Sequence, residues 1–231
     1  MNNFSKRFYP FLHKNIRTFF TLVLILGLLC FFTACTALDY FSYVSELRSN
    51  IFLAETENFS MRIYSVTKEV PFVSDGVPRE LSTRTEVYLI APSGDKTCEI
   101  SFSYDGKTYG GEMSFDNVKT EYYYACTLDV SSAKEIVCHI QYGENTIDMT
   151  AYSVLDENTI TPRAALDIVR QSESELFETM TDKYGFTGEI YLRLLYEDSP
   201  YYYIGIIDRN GNTAAYLLNA QTGKILARRQ S

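Results

Sequence analysis

The alternation of apolar and polar side chains divides the chain into three stretches of different period. From Thr18 to Leu38 the run TFFTLVLILGLLCFFTACTAL carries no charge and has no polar face. From there to about Leu155, short runs alternate with period two, the signature of strands with one buried face. Residues 59–66 do so, and over 83–90 Thr85, Val87 and Leu89 oppose Arg84, Glu86, Tyr88 and Ile90. Residues 98–104 and 108–115 flank Asp105-Gly106, a hairpin signal. Residues 122–130 and 135–142 form a second predicted pair, turning near 131–133, and Gly143-Glu144-Asn145 leads into a strand over 146–154. Short strands at this spacing, with no helical period between them, predict an antiparallel β-sandwich over residues 39–155. Residues 40–55 fit either a helix continuing from the apolar run or a first strand over 49–54. Residues 67–83, broken by Pro71, Asp75-Gly76 and Pro78, read as an ordered loop, either a long inter-strand connection or a segment that carries function.

At Thr161-Pro162 the period changes to that of a helix. Thr161 suits the N-cap and Pro162 the first turn, while Ala164, Ala165, Ile168, Val169, Leu176, Phe177 and Met180 mark one face. Gly185 suits a helix stop. Three strands follow, over 188–196, 201–208 and 214–219, with Asn210-Gly211 turning between the last two. One helix packed on a three-stranded antiparallel sheet makes an α+β unit over 156–231. The predicted fold is therefore mainly β with an α+β C-terminal unit, divided into 1–38, 39–155 and 156–231.

Residues 160–228 resemble the PepSY domain of bacterial secreted and membrane proteins. The resemblance is carried by Ile160-Thr161-Pro162 with Ala165 at the helix start and by Tyr202-Tyr203-Ile204-Gly205-Ile206 in the middle strand. Its ending runs from Ala215 through Asn219-Ala220-Gln221-Thr222-Gly223 to Ile225-Leu226. Asn219 stands where that family usually has Asp, and its side chain can make the same local turn bond. The resemblance implies a non-catalytic module that interacts with or restrains peptidases and other envelope proteins.

The apolar run gains its meaning from its flank. Lys6, Arg7, Lys14 and Arg17 precede it with no acid among them, a bias that keeps the N-terminus in the cytoplasm and sends the rest across. A span needs about 20 apolar residues, which the run just provides. Three fates are open to it: an uncleaved anchor, a secretory signal cut after Ala37, or lipidation at Cys35. Phe32-Thr33-Ala34-Cys35 resembles the bacterial lipoprotein box, with Phe32 where an aliphatic residue is usual. All three place the remaining domain outside the membrane in a bacterial envelope, and two of them tether it there.

Charge follows the same division. Of 21 basic side chains four lie in the leader, leaving 17 against all 29 acidic ones, a net of −12. Such a domain does not bind nucleic acid by electrostatics. Beyond the leader the cysteines are Cys98, Cys126 and Cys138, an odd set. Cys126 and Cys138 read either as a bridge across the predicted hairpin or as two buried thiols.

Catalytic chemistry finds little to work with. Outside the leader His139 is the one histidine, and its neighbour Cys138 points to the opposite sheet face. No phosphate loop, dinucleotide fingerprint or zinc spacing is present, so the expectation is no catalytic residue, no cofactor and no metal. Two tyrosine triplets, 122–124 and 201–203, each place alternate rings on opposite sheet faces. Tyr122, Tyr124, Tyr201 and Tyr203 are the expected binding surface, since exposed tyrosines suit protein or glycan contacts. The expected role is binding or regulation of an envelope protein or peptidase. The alternatives are a cell-wall glycan-binding accessory, or a hydrolase using acids in a cleft between the two modules.

Overall fold

Asp39 opens the folded region by accepting a hydrogen bond from the Phe41 backbone N–H, capping a single 3₁₀ turn over Tyr40–Tyr43. The chain then enters β1 (Val44–Glu55), so the stretch 40–55 is a 3₁₀ turn followed by a long strand. Its buried residues come in the runs Val44–Glu46 and Asn50–Phe52, because β1 has neighbours on both edges and cover on both faces. The computed structural model describes residues 38–71, 73 and 79–230; the leader with Cys35 and much of the tip of the predicted 67–83 loop lie outside the described residues.

β2 (Ser60–Glu69) returns along β1, and β3 (Leu81–Ile90) returns along β2 as far as Glu69 opposite Leu81. Both ends of the predicted loop are therefore strand. β4 (Cys98–Tyr104) and β5 (Lys107–Glu112) meet at Asp105-Gly106, whose φ values of 50° and 72° fit a two-residue hairpin turn. β6 (Ser114–Asp116) pairs with β7 (Glu121–Cys126), and β8 (Glu135–Tyr142) with β9 (Asn145–Ser153).

The expected hairpin between 122–130 and 135–142 does not form. β7 pairs with β3 and β6, whereas β8 pairs with β4 and β9. The segment between them closes one end of the core. Val130 is fully buried there, and the residues around it are tied down by three strands. Thr85 Oγ1 donates to Leu128 O at 2.9 Å, Ser65 Oγ to Asp129 Oδ1 at 3.2 Å, and Asn50 Nδ2 to Ser131 O at 3.0 Å. A tight turn would have left Val130 in water.

These strands are linked in the order β5-β4-β8-β9-β1-β2-β3-β7-β6. The sheet is mainly antiparallel and curls until Tyr124 on β7 reaches the backbone of Gly110 on β5. One nearly closed sheet thus takes the place of two stacked ones. Phe52, Met61, Ile63, Leu89, Phe102, Tyr122 and Ile140 fill it.

The C-terminal stretch adds α1 (Pro162–Ser172), started as expected by Thr161 Oγ1 accepting from the Ala164 N–H at 3.2 Å. The predicted long helix breaks at Glu173 (φ −124°, ψ 39°), giving a short α2 (Ser174–Thr179) and a small ladder of β10 (Thr181–Asp182) with β11 (Gly185–Phe186). The break turns Phe177 and Phe186 onto Tyr40, with ring centroids 5.0 and 5.5 Å away. β12 (Glu189–Tyr196), β13 (Pro200–Ile207) and β14 (Thr213–Asn219) match the predicted strands, and β15 (Ile225–Gln230) adds a fourth. Ala165, Leu166 and Val169 of α1 are buried on this side, and the Tyr202 hydroxyl donates to Ile160 O at 2.8 Å.

β12 runs parallel to β1, with Val44 opposite Ile190 and Leu47 opposite Leu192, while every other ladder among the described residues is antiparallel. This pairing joins both parts into one 13-stranded sheet, and residues 39–231 form one compact unit. The boundary at 155/156 marks a change of pattern across which the sheet continues. Among the described residues no helix is long and apolar enough to cross a membrane.

Candidate functional site

The site grows from a fork in β1. Its first half pairs with β12 as far as Arg48 opposite Arg193; from Phe52 the same edge pairs instead with β9. Between the two, the register against β2 shifts between Arg48 and Asn50, a bulge of the kind that bends a strand and re-aims its side chains. Asn50, 1% exposed, pins the fork. Its Oδ1 accepts from the Ile51 N–H and the Ser153 hydroxyl, both at 2.8 Å, while its Nδ2 donates into the 131–133 segment.

Past the fork the end of β12 is no longer paired to β1, and a cleft of about 580 Å³ opens beside it. Tyr64, Tyr196 and Tyr201 line it together with the aliphatic side chains of Leu195, Leu217 and Leu226. Three charged residues also border it: Arg48, Arg62 and Glu197. Arg62 is engaged, its Nη2 lying 2.7 Å from Glu121 Oε2. The Arg48 guanidinium instead lies over the Tyr64 ring, 4.2 Å from its centroid, with its Nε buried and unpartnered. Among the described residues no carboxylate lies within ion-pair distance of it.

The expected tyrosine surface divides. Tyr201 lines the cleft, and Tyr203 shares its face of β13, 6.0 Å from the Arg193 guanidinium carbon. Tyr122 is corrected: it is 1% exposed, at the centre of the curled sheet, with its hydroxyl donating to Lys96 O at 2.7 Å. Tyr124 also points inward and packs against the core. The outward ring of that triplet is Tyr123, in a row with Tyr88 and Tyr64 at centroid separations of 5.1 and 5.5 Å. Beneath the row, Glu86 accepts from the Tyr88 hydroxyl at 3.1 Å and pairs with Lys68 at 2.7 Å. Burial, then the charge of Glu86, push the Tyr88 hydroxyl above its ordinary range.

Cys126 and Cys138 are free thiols, so the bridge is corrected as well. They sit on strands that do not pair, each against its own neighbours. Burial pushes the Cys138 thiol up to about 12, which leaves it protonated and unreactive. His139 is exposed and lies 2.6 Å from Asp148 across the β8–β9 ladder, on the face opposite Cys138.

Each buried acid has a donor of its own. Glu46 pairs with Arg193, Glu69 with Arg79, Glu86 with Lys68 and Glu121 with Arg62, while Glu189 accepts from the Ser45 hydroxyl. Asp208, in the Asn210-Gly211 turn, accepts from the N–H groups of Asn210 and Asn212 at 2.8 Å each. Among the described residues no cluster of three or more His, Cys, Asp and Glu side chains is placed to share a metal ion.

Sequence reasoning found Tyr201 but missed Arg48 and Tyr64. The one available signal was a cation between Leu47 and Ile51 in a strand otherwise bound for burial. No family model, no curated protein and no solved structure matches the chain.

Proposed function

We propose that this chain is a binding protein of the bacterial envelope, held at the membrane by its N-terminal leader and acting on a peptidase or another envelope protein without chemistry of its own. The observation that carries the binding role is the cleft at the β1 fork: tyrosines and leucines around an arginine that has no carboxylate among the described residues. Sites that hold ligands are concave and mostly apolar, with a few polar groups placed to orient what they bind. The location follows from the basic, acid-free flank of the apolar run. The regulatory role follows from the PepSY resemblance of residues 160–228, a span that includes Tyr201, Leu217 and Leu226 of the cleft.

Photo-crosslinking in intact cells tests this. A benzophenone amino acid replaces Tyr201 in one full-length protein and the exposed Tyr152, on β9, in another. Capture of an envelope protein from position 201 and not from 152 is the expected result. Capture of cytoplasmic proteins, or equal capture from both positions, sinks the proposal.

A further inference from the structure

The cleft has a chemistry specific enough to name the class of group it takes. Arg48 projects from the bulged part of β1 and is stacked on Tyr64, an arrangement that favours a guanidinium over an ammonium and holds its plane in place. A cation partly removed from water, with a buried Nε lacking a hydrogen bond, gains most from an anion that accepts from two of its N–H groups at once. Its cationic neighbours are already engaged, Arg62 by Glu121 and Arg193 by Glu46. Among the described residues the cleft therefore presents one uncommitted positive charge.

That count decides between anions. A phosphate or sulfate dianion calls for several donors, and here Glu197 borders the same cleft on a domain of net −12. A carboxylate carries one charge, is planar, and matches the guanidinium fork. Apolar residues also line the cleft: Leu195, Leu217 and Leu226, together with Tyr196 and Tyr201. The volume, about 580 Å³, lies within the range of small-ligand sites. We infer that the cleft at the β1 fork binds the free C-terminal carboxylate of a peptide, with the carboxylate on Arg48 and an apolar or aromatic last side chain against the leucine wall. This deepens the proposed binding role of the same site and rests on it.

The test uses the full-length protein in detergent, immobilised and equilibrated with a randomised tripeptide library bearing free C-terminal carboxylates. The same library as C-terminal amides and a set of N-acetylglucosamine oligomers run in parallel, with retained species counted by mass spectrometry. The expected result is at least about tenfold greater retention of the free acids than of the amides, the usual size of a charge-assisted hydrogen-bond effect. Arg48→Gln abolishes that preference, and Arg48→Lys keeps only part of it, because an ammonium lacks the fork. Leu217→Ala, which leaves Arg48 in place, lowers retention of peptides ending in Leu, Phe or Tyr more than of those ending in Gly. Melting temperatures of all variants separate loss of the site from loss of the fold.

Equal retention of acids and amides, or of neither, overturns the carboxylate assignment. If the oligosaccharides alone are retained, the carboxylate idea falls while a binding role stands. If nothing is retained and the crosslinks at position 201 also fail, both fall together.

Discussion

The tyrosine triplets 122–124 and 201–203 have the same composition and both lie in strands, yet they are set in opposite phase. In the first the outer two rings face the core and the middle one faces out; in the second the middle ring is buried and the outer two look outward. Phase is decided by what lies across the ladder. Tyr122 sits between Leu89 and Phe115, both on the core side, whereas Tyr202 sits between Leu194 and Leu218 beneath α1. Alternation is local information, and the choice of inward face belongs to the partner strands.

Removing one ring from each triplet should separate the two phases most strongly. Tyr122→Ala should cost about 3–5 kcal/mol, as large buried aromatics do, while Tyr201→Ala should cost under about 1 kcal/mol. Denaturant unfolding of both variants checks this, and comparable losses would mean that the two phases are wrongly assigned. Next in size comes the fork that separates the two environments. Asn50→Ala leaves the Ile51 N–H, the Ser153 hydroxyl and two backbone carbonyls without their Asn50 partner, at a cost of about 2–3 kcal/mol read from the same unfolding curves.

Gly223 tests the helix-covered side. It has φ +70°, and a Cβ there would lie 2.6 Å from Ile168 Cδ1 on α1, so Gly223→Ala should cost about 1–2 kcal/mol. Adding Ile168→Val should recover part of it, since the clash is with the far end of one side chain; full additivity in a double-mutant cycle would place the strain in the backbone alone.

A further test is alkaline. Burial raises Cys138 in the curled sheet and Tyr202 under α1 to about 12 each. Both are neutral when protonated, so the stability they contribute is whole below their unfolded pKa values. It declines from about pH 9 for the thiol and about pH 10 for the phenol as the unfolded chain ionises, and is lost by about pH 12. Cys138→Ala should move the onset of that decline upward, and Tyr202→Phe should flatten its later part. A pH series of melting temperatures with no change in either variant would contradict the burial of both groups.

Much of the architecture was legible because it is local. The turns at Asp105-Gly106 and Asn210-Gly211, the Thr161-Pro162 helix start and the strands at 98–104 and 201–208 each carry their own signal within a few residues. The helix break at Glu173 was not legible, since the ring it packs Phe177 and Phe186 against, Tyr40, is far away in sequence. The 122–130/135–142 hairpin failed for a related reason. Both segments alternate correctly, but Val130 between them is core. The candidate site was legible only in Tyr201, because Arg48 and Tyr64 come together across a bulge and Leu195 and Leu217 join them through a parallel pairing.

That parallel pairing also governs how the chain comes into existence. Synthesis runs from the N-terminus, so the first half of β1 is made while Ile190–Arg193, which complete its edge, are still far from the ribosome exit. During that interval Val44–Arg48 is a bare template for any passing strand, and the entropy of closing so long a loop delays its proper mate. A nascent chain halted near residue 155 would therefore be sticky, not a smaller working version of the protein. Separating residues 39–155 from 156–231 would leave each half with an unfinished edge.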